Sequence, residues 1–421
     1  MAEPIVVFSP LPPAKSGIAD YMLELLPELA ARREVVVVTE SPPAAGAHWH
    51  TLTPEQYRAD AALAALPHFY QIGNNADHVF VYRACRERPG IVVQHDFNLH
   101  YLVEDATLVA GDLAGYRRIL EEEYGESGAT LADLRQLGVF SEAQKLTLGL
   151  NTHLLREARG VIVHSRWVQE RLPADIRARS TVIQHHFAPQ ALEYAGASRA
   201  EARAALGIAQ DAFVLLALGY ITPPKQVQAA VAAVAMLRDR HPQLQFVVGG
   251  QRNPGFDIDA VIRRHELEDR VRITGYLDET AFFRHIVAAD ALVNLRHPTV
   301  GESSGTLARS LALGLPAIIH NFGPASELPE GTVLKVPLEL GPPTRLAAAI
   351  DSLASNAALR AALGEAARGY MLANRSVALS AEGYNAFSDL IYGSGPRHDA
   401  NVVSLSRKPS HEYQGTRRKG R

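Results

Sequence analysis

Apolar residues in this chain gather into short unbroken runs. Between them lie longer stretches where apolar residues recur every three or four positions. PIVVF (residues 4–8) is β-branched and apolar without alternation, the pattern of a strand covered on both faces. SPLPPAKSG interrupts it. IADYMLELLPELAARR follows with helical spacing at Ile18, Tyr21, Met22, Leu25, Leu26 and Leu29. EVVVVTE then predicts a second strand and completes a βαβ start. HVFVY (78–82), GIVVQHD (90–96) and GVIVHS (160–165) predict further strands. Segment 102–158 reads as long and helical, and STVIQHHF closes the first half.

A second set begins with the helical SRAEARAALGI (198–208), the strand AFVLLALGY (212–220) and the helix KQVQAAVAAVAMLRDRHP (225–242). LQFVVGG, RVRITGY, DALVNL, PAIIHN and TVLKVP supply more strands, with helices between them. The alternation predicts an α/β chain with two successive doubly wound parallel sheets, divided between Phe187 and Ala200. The expected domains are 1–190, 191–375, a helix at 376–392 returning to the first domain, and a disordered basic tail at 393–421.

The length of 421 residues suits two or three domains, and 47% hydrophobic with 21% charged residues is ordinary for a globular protein. A net charge of −3 argues against nucleic acid as a partner. Cys85 is the only cysteine, so it has no intramolecular disulfide partner; a buried thiol in a reducing compartment is expected. MAEPIVVFSPLPP lacks the features of a signal peptide, and no apolar run reaches the roughly 20 residues that span a bilayer. The expected location is the cytoplasm. The tail from Gly393 carries seven Lys and Arg against two Asp and Glu. It reads as a solvated segment or as an electrostatic tether to anionic lipid at the membrane periphery.

The stretch with the most chemistry is HPTVGESSGTLARSLALGLP (297–316), set between the strands ALVNL and AIIHN. Ser303, Ser304, Gly305 and Thr306 open a helix just past the carboxyl end of a strand. Free backbone N–H groups and the helix dipole suit an anion there. Glu302 is misplaced for binding phosphate itself. It makes sense beside a ligand with hydroxyls next to its phosphates, such as a sugar diphosphate, because a carboxylate accepts such hydrogen bonds. The competing reading is a helix cap.

In order along the chain, SGIADY, VVQHD, GVIVHS, LGYITPPK, ITGYLDE, HPTVGESSGTLARSLALGLPAII and SELP make the sequence, over about Ile5 to Leu390, resemble the retaining glycosyltransferases of family 4 (glycosyl transferases group 1). The resemblance implies the GT-B fold, two facing Rossmann-like domains. The C-terminal one would bind a nucleoside-diphosphate sugar and the N-terminal one a carbohydrate or lipid-linked acceptor, as in polysaccharide or glycolipid assembly. No cofactor is implied beyond the nucleotide-sugar co-substrate.

The family's acid-x7-acid motif falls on Glu302 and Ser310, with serine in place of the acid that commonly holds the donor ribose. Its phosphate-clamp turn falls on LGYITPPK, with Tyr220 at the usual arginine and Lys225 retained. His95 is implied to face the donor sugar, with Asp96 orienting it or merely ending the strand. Gly17, flanked by Lys15 and Ser16, is implied to let backbone approach the phosphates. Asp20 and Tyr21 are acceptor-side candidates. Tyr276 marks the turn near the base, and Glu327 matches a recurrent position or caps a loop. His185 and His186 lie near the hinge without an assignment.

No histidine spacing builds a metal site, and no Asp-x-Asp stands where a metal-dependent transferase needs one. The expected catalytic residues are His95, Glu302 and Lys225. The expected donor-binding residues are Gly17, Tyr276, Ser303, Ser304, Gly305, Thr306 and Ser310. The alternatives are a nucleotide-sugar epimerase or phosphorylase of related fold, or a non-catalytic nucleotide-sugar-binding module. A dinucleotide oxidoreductase is disfavoured, since no G-x-G-x-x-G follows the first strand of either domain.

Overall fold

Strand Ile5–Phe8 pairs in parallel with Val35–Val38 on one side and His68–Ile72 on the other. In the computed structural model, which describes residues 3–14, 16–40 and 49–393, it belongs to a seven-stranded sheet. His50–Leu52 lies outside Val35–Val38; Ile91–Gln94, Gly160–Val163 and Ser180–Val182 follow beyond His68–Ile72. The strand order reverses between Ile5–Phe8 and His68–Ile72, which makes that gap the switch point of the sheet.

The second sheet has six parallel strands. Phe213–Leu218 pairs with Leu244–Gly249 and with Ala291–Asn294. Val271–Ile273 lies outside the former; Ala317–His320 and Leu334–Val336 extend beyond the latter. Its switch point falls between Phe213–Leu218 and Ala291–Asn294.

Both faces of each sheet are covered, which explains the unbroken apolar runs. In the first sheet Ile5, Val7, Val35 and Val37 pack on one side with Leu25 and Leu26 of helix Gly17–Ala30. Val6, Phe8, Val36 and Val38 pack on the other. Helix Val377–Tyr392 returns to the first sheet, where Val377, Ala381, Tyr384 and Phe387 join the same cluster as Ile5 and Val7. Arg33 pairs with Asp389 at 3.0 Å, and the hydroxyls of Tyr21 and Tyr384 lie 3.2 Å apart. The chain therefore crosses between sheets twice. The crossings meet where Phe187 N–H donates to the Arg375 carbonyl at 3.1 Å.

One expected strand is a helix. HVFVY begins Val79–Glu87, which buries Val81, Tyr82 and Cys85 at helical spacing. The strand in that part of the sheet is His68–Ile72 (HFYQI), whose His68 and Gln71 are polar yet buried. Segment 102–158 contains helix Leu113–Gln136, kinked at Gly125, among shorter helices. No helix among the described residues is long and apolar enough to cross a membrane. Lys15 and the tail beyond Gly393 lie outside the described residues.

Candidate functional site

The loops leaving Phe213–Leu218 and Ala291–Asn294 converge at the switch point of the second sheet. They are tied together: His297 N–H donates to the Pro224 carbonyl at 2.8 Å, and the Gln226 amide donates to the His297 carbonyl at 2.9 Å. Lys225 folds back over Gly219, where φ is +107° and an added Cβ would lie 2.5 Å from Lys225 Nζ. A side chain there would be both strained and in the way of the ammonium. Thus the second loop holds Lys225 beside Arg296, the residue just before the HPTVGESSG stretch.

Helix Gly305–Ala312 starts at the mouth of the second loop. Its N-cap is Ser304, whose Oγ accepts the Leu307 N–H at 3.2 Å. Glu302 does not cap it. One carboxylate oxygen accepts from the Thr299 hydroxyl at 2.8 Å and the Val300 N–H at 3.0 Å; the other lies 3.1 Å from Arg296 Nε. Arg296, Glu302, Ser303 and Ser304 line a cleft whose apolar wall includes Phe322, Pro324 and Leu328.

Two cations and one carboxylate thus share the switch point. Burial pushes the Lys225 ammonium down to about 7, Arg296 pushes the same way, and Glu302 opposes them. Arg296 has no counterpart among the expected site residues. The available signal was a basic residue at the carboxyl end of a switch-point strand.

The remaining donor-side residues are dispersed. Ser310 is fully buried and its hydroxyl has no hydrogen-bond partner among the described residues. The expected ribose contact is not open to it, because it shares the buried side of its helix with Leu307, Ala308 and Leu311. Gly305 and Thr306 form the first turn of that helix. Tyr276 stands 68% exposed beyond the edge strand Val271–Ile273, and Tyr220 is 44% exposed. Gly17 is the first residue of its helix, and a Cβ there would meet no protein atom within 4 Å.

Across the cleft, His95 is held at both ring nitrogens. Nε2 lies 2.8 Å from Gln71 Oε1 and Nδ1 lies 3.1 Å from His164 Nε2. His164 Nδ1 faces the Ile183 carbonyl at 2.7 Å, so it must be the donor there. With both rings neutral, His95 then donates from Nδ1 to His164, which leaves its Nε2 an acceptor facing Gln71 Oε1; turning the Gln71 amide over brings its buried NH₂, unpaired among the described residues, to the ring and satisfies both groups. Burial, then His164, drives His95 well below the ordinary histidine range.

The histidine that lines the cleft is His185, not His95. Its Nδ1 donates to the His186 carbonyl at 2.6 Å, and its Nε2 would lie 3.9 Å from a Cβ at Gly305. Tyr21 is 1% exposed and therefore closed to an acceptor. Its ring contacts those of His95, His164, His185 and His186 at 4.2–5.4 Å. Among the described residues no group of three or more His, Cys, Asp or Glu side chains could hold a metal ion.

Asp20 is exposed on its helix. Asp96 accepts the Asn74 N–H at 2.8 Å. Burial raises its carboxyl to about 7, and the Glu302 charge from the other domain adds to that.

The two domains touch through the same loops that build the site. Asn98 N–H donates to the Val300 carbonyl at 3.0 Å. Glu327 accepts from the Arg166 N–H at 3.2 Å and from the Trp167 N–H, capping helix Arg166–Gln169 of the opposite domain. Arg309 pairs with Glu24, whose other oxygen lies 3.3 Å from His186 Nε2. Burial works against the Glu24 charge, yet His186 and Arg309 outweigh it and hold the carboxyl below its usual range.

Residues 198–370 match the model of the family described as glycosyl transferases group 1. Over 173 residues the chain is 29% identical to an alpha-D-kanosaminyltransferase of Streptomyces kanamyceticus, covering 40% of this chain and 43% of that protein. Over 186 residues it is 32% identical to a D-inositol 3-phosphate glycosyltransferase of Kineococcus radiotolerans, covering 39% and 42%. The chain thus spans less than half the length of these curated relatives. Among solved structures, sucrose-phosphate synthase from Thermosynechococcus elongatus aligns over 93% of this chain and all of its own, with a TM-score of 0.66 at 20% identity. HepE of Anabaena in complex with UDP and glucose aligns over 91% and 98%, with a TM-score of 0.61 at 17% identity. Residues 198–370 carry a glycosyl transferases group 1 domain, within a chain whose two facing sheets take the GT-B arrangement.

Proposed function

We propose that the protein is a retaining glycosyltransferase that moves a sugar from a nucleoside-diphosphate donor to an acceptor hydroxyl. The observation that carries this reading is the side-by-side setting of Lys225 and Arg296 next to the start of helix Gly305–Ala312, at the switch point of a group 1 domain. Two cations and free helix amides suit a diphosphate. The relatives are named as transferases of sugars, and the HepE structure was determined with UDP and glucose, which supports a nucleotide-sugar donor.

In this mechanism Lys225 and the amides around Ser303–Thr306 take up charge on the diphosphate as the anomeric C–O bond breaks. Glu302 accepts hydrogen bonds from sugar hydroxyls. The acceptor oxygen bonds to the same face of the anomeric carbon, and its proton passes to the departing phosphate oxygen. On the opposite domain the cleft-lining His185 is the histidine placed to meet the sugar, and His95 stands behind it, packed against the same Tyr21 ring. The acceptor is a carbohydrate or lipid-linked sugar. For a lipid-linked one, the positive charge of residues 393–421 favours an anionic surface.

The test is a binding screen of UDP-, GDP- and dTDP-sugars, then mass spectrometry of products with and without candidate acceptors. Acceptor-dependent release of nucleoside diphosphate with the anomeric configuration kept supports the reading. Donor consumption without an acceptor points to an epimerase or phosphorylase, and binding without turnover points to a non-catalytic module.

A further inference from the structure

The cleft has a second cation that the diphosphate reading leaves unused. Arg375 lies in the link between helices Ala357–Asn374 and Val377–Tyr392, at one of the two chain crossings. It lines the same cleft as Arg296 and Glu302, whereas Lys225 lies outside that lining. The other arginines around this site have carboxylate partners: Arg296 has Glu302, and Arg309 has Glu24. Among the described residues Arg375 has none.

Its hydrogen bonds are long and go to neutral groups. They run to the His185 carbonyl at 3.5 Å and the Tyr370 hydroxyl at 3.3 Å, while its buried Nε has no partner among the described residues. The guanidinium also lies 5.6 Å from the Tyr370 ring centroid. A half-buried guanidinium left this incompletely satisfied is poor packing but a good oxyanion receptor, since its planar fork matches phosphate oxygens. With Arg296 and Arg375 against Glu302, the charged side chains of the lining sum to one positive charge.

We propose that Arg375 anchors a second oxyanion subsite, separate from the diphosphate, which receives a phosphate carried by the acceptor. The inference rests on the glycosyltransferase reading. Lys225 and Arg296 approach from the switch-point loops, where the donor diphosphate belongs. Arg375 approaches from the domain crossing, where its guanidinium contacts the carbonyl of His185 from the first domain's side of the cleft.

The experiment is calorimetric titration of inorganic phosphate into protein saturated with the tightest binder among UDP, GDP and dTDP. The wild-type protein should bind phosphate saturably while the nucleotide stays bound. Arg375→Gln should weaken phosphate binding roughly tenfold or more and leave nucleotide affinity within about twofold, as expected for a residue outside the donor contacts. Arg375→Lys keeps the charge but not the fork and should fall between the two. It also guards against a glutamine variant that fails to fold, with melting temperature checked for both.

No phosphate binding to the nucleotide-saturated wild type would overturn the proposal, as would equal binding by folded Arg375→Gln. So would an equal loss of nucleotide and phosphate affinity, which would assign Arg375 to the diphosphate. If the wild type binds no nucleoside diphosphate, the glycosyltransferase reading fails instead. Phosphate titration of the free protein and of Arg375→Gln then still reports on the arginine itself.

Discussion

Arg296 Nε lies 3.1 Å from Glu302 Oε1, so the two ends of the loop leading into helix Gly305–Ala312 are joined within the protein itself. This ion pair gives Glu302 work other than capping, a task that Ser304 performs. It also fixes Arg296 beside Lys225, so the charge state of the lysine depends on a residue from the neighbouring strand.

That dependence predicts proton uptake on donor binding. With the free Lys225 near 7, a bound diphosphate favours the ammonium and raises its pKa. Below the free pKa the lysine is already charged and affinity is flat with respect to this group. As pH rises above it, each binding event must add a proton, and affinity falls by up to about tenfold per pH unit until the bound pKa is passed. Calorimetry at pH 8 in buffers of different ionisation enthalpy should register uptake approaching one proton per nucleoside diphosphate. Lys225→Arg stays charged and should abolish the uptake. Equal uptake in the arginine variant would assign the proton to another group.

Gly301 governs how closely the domains meet. Its φ is +80°, and a Cβ there would lie 2.4 Å from Phe97 Cβ, next to the Asn98–Val300 hydrogen bond. Gly301→Ala should therefore separate the loops, with a direct strain of about 1–2 kcal/mol from the left-handed backbone. The expected result is a larger radius of gyration by small-angle scattering and reduced turnover, with each domain still folded by circular dichroism. An unchanged radius and turnover would mean that the Phe97 contact gives way locally.

Ser310 separates the motif reading from the geometry. A ribose contact would make Ser310→Ala weaken nucleotide binding. A fully buried hydroxyl without a partner instead predicts unchanged affinity and a melting temperature equal to or above wild type, because the change removes an unsatisfied polar group worth about 1–3 kcal/mol. Titration of UDP, GDP or dTDP into both proteins decides the matter.

Both sheets were legible because doubly covered strands such as Val35–Val38 and Ile91–Gln94 are unbroken apolar runs. His68–Ile72 was not. Its His68 and Gln71 are buried by pairing, with Tyr57 and His95 respectively, which no periodicity reveals. HVFVY is rich in β-branched and aromatic residues, yet packing made it a helix. The Glu302–Ser304 turn was legible from its position between strand and helix. What it touches was not. The partners of Glu327 and Arg309 lie in the other domain, 160 and 285 residues away, and exist only once the domains dock. His95 stood out at the end of its strand, but its engagement by Gln71 and His164, and the place of His185 on the cleft wall, depend on neighbouring strands.

Glu302→Gln tests the site most directly. The carboxylate faces donors on both oxygens: Arg296 Nε at one, Thr299 hydroxyl and Val300 N–H at the other. A glutamine must turn its NH₂ toward one of these sets and lose it, costing about 1–3 kcal/mol of stability. If that is all Glu302 does, the folded variant should turn over at the wild-type rate. If the carboxylate also accepts bonds from sugar hydroxyls as charge develops, turnover should fall by roughly tenfold to a few hundredfold. Affinity for free nucleoside diphosphate should stay level or rise, because Arg296 is no longer neutralised. The Asp96 carboxyl supplies an independent readout. Burial and Glu302 together hold it at about 7, so removing the Glu302 charge should lower it while burial still keeps it above the ordinary range. Carboxyl-carbon NMR titration of both proteins would follow that shift. A folded Glu302→Gln protein with wild-type turnover and an unmoved Asp96 would mean that the carboxylate neither serves the sugar nor faces its counterpart across the cleft.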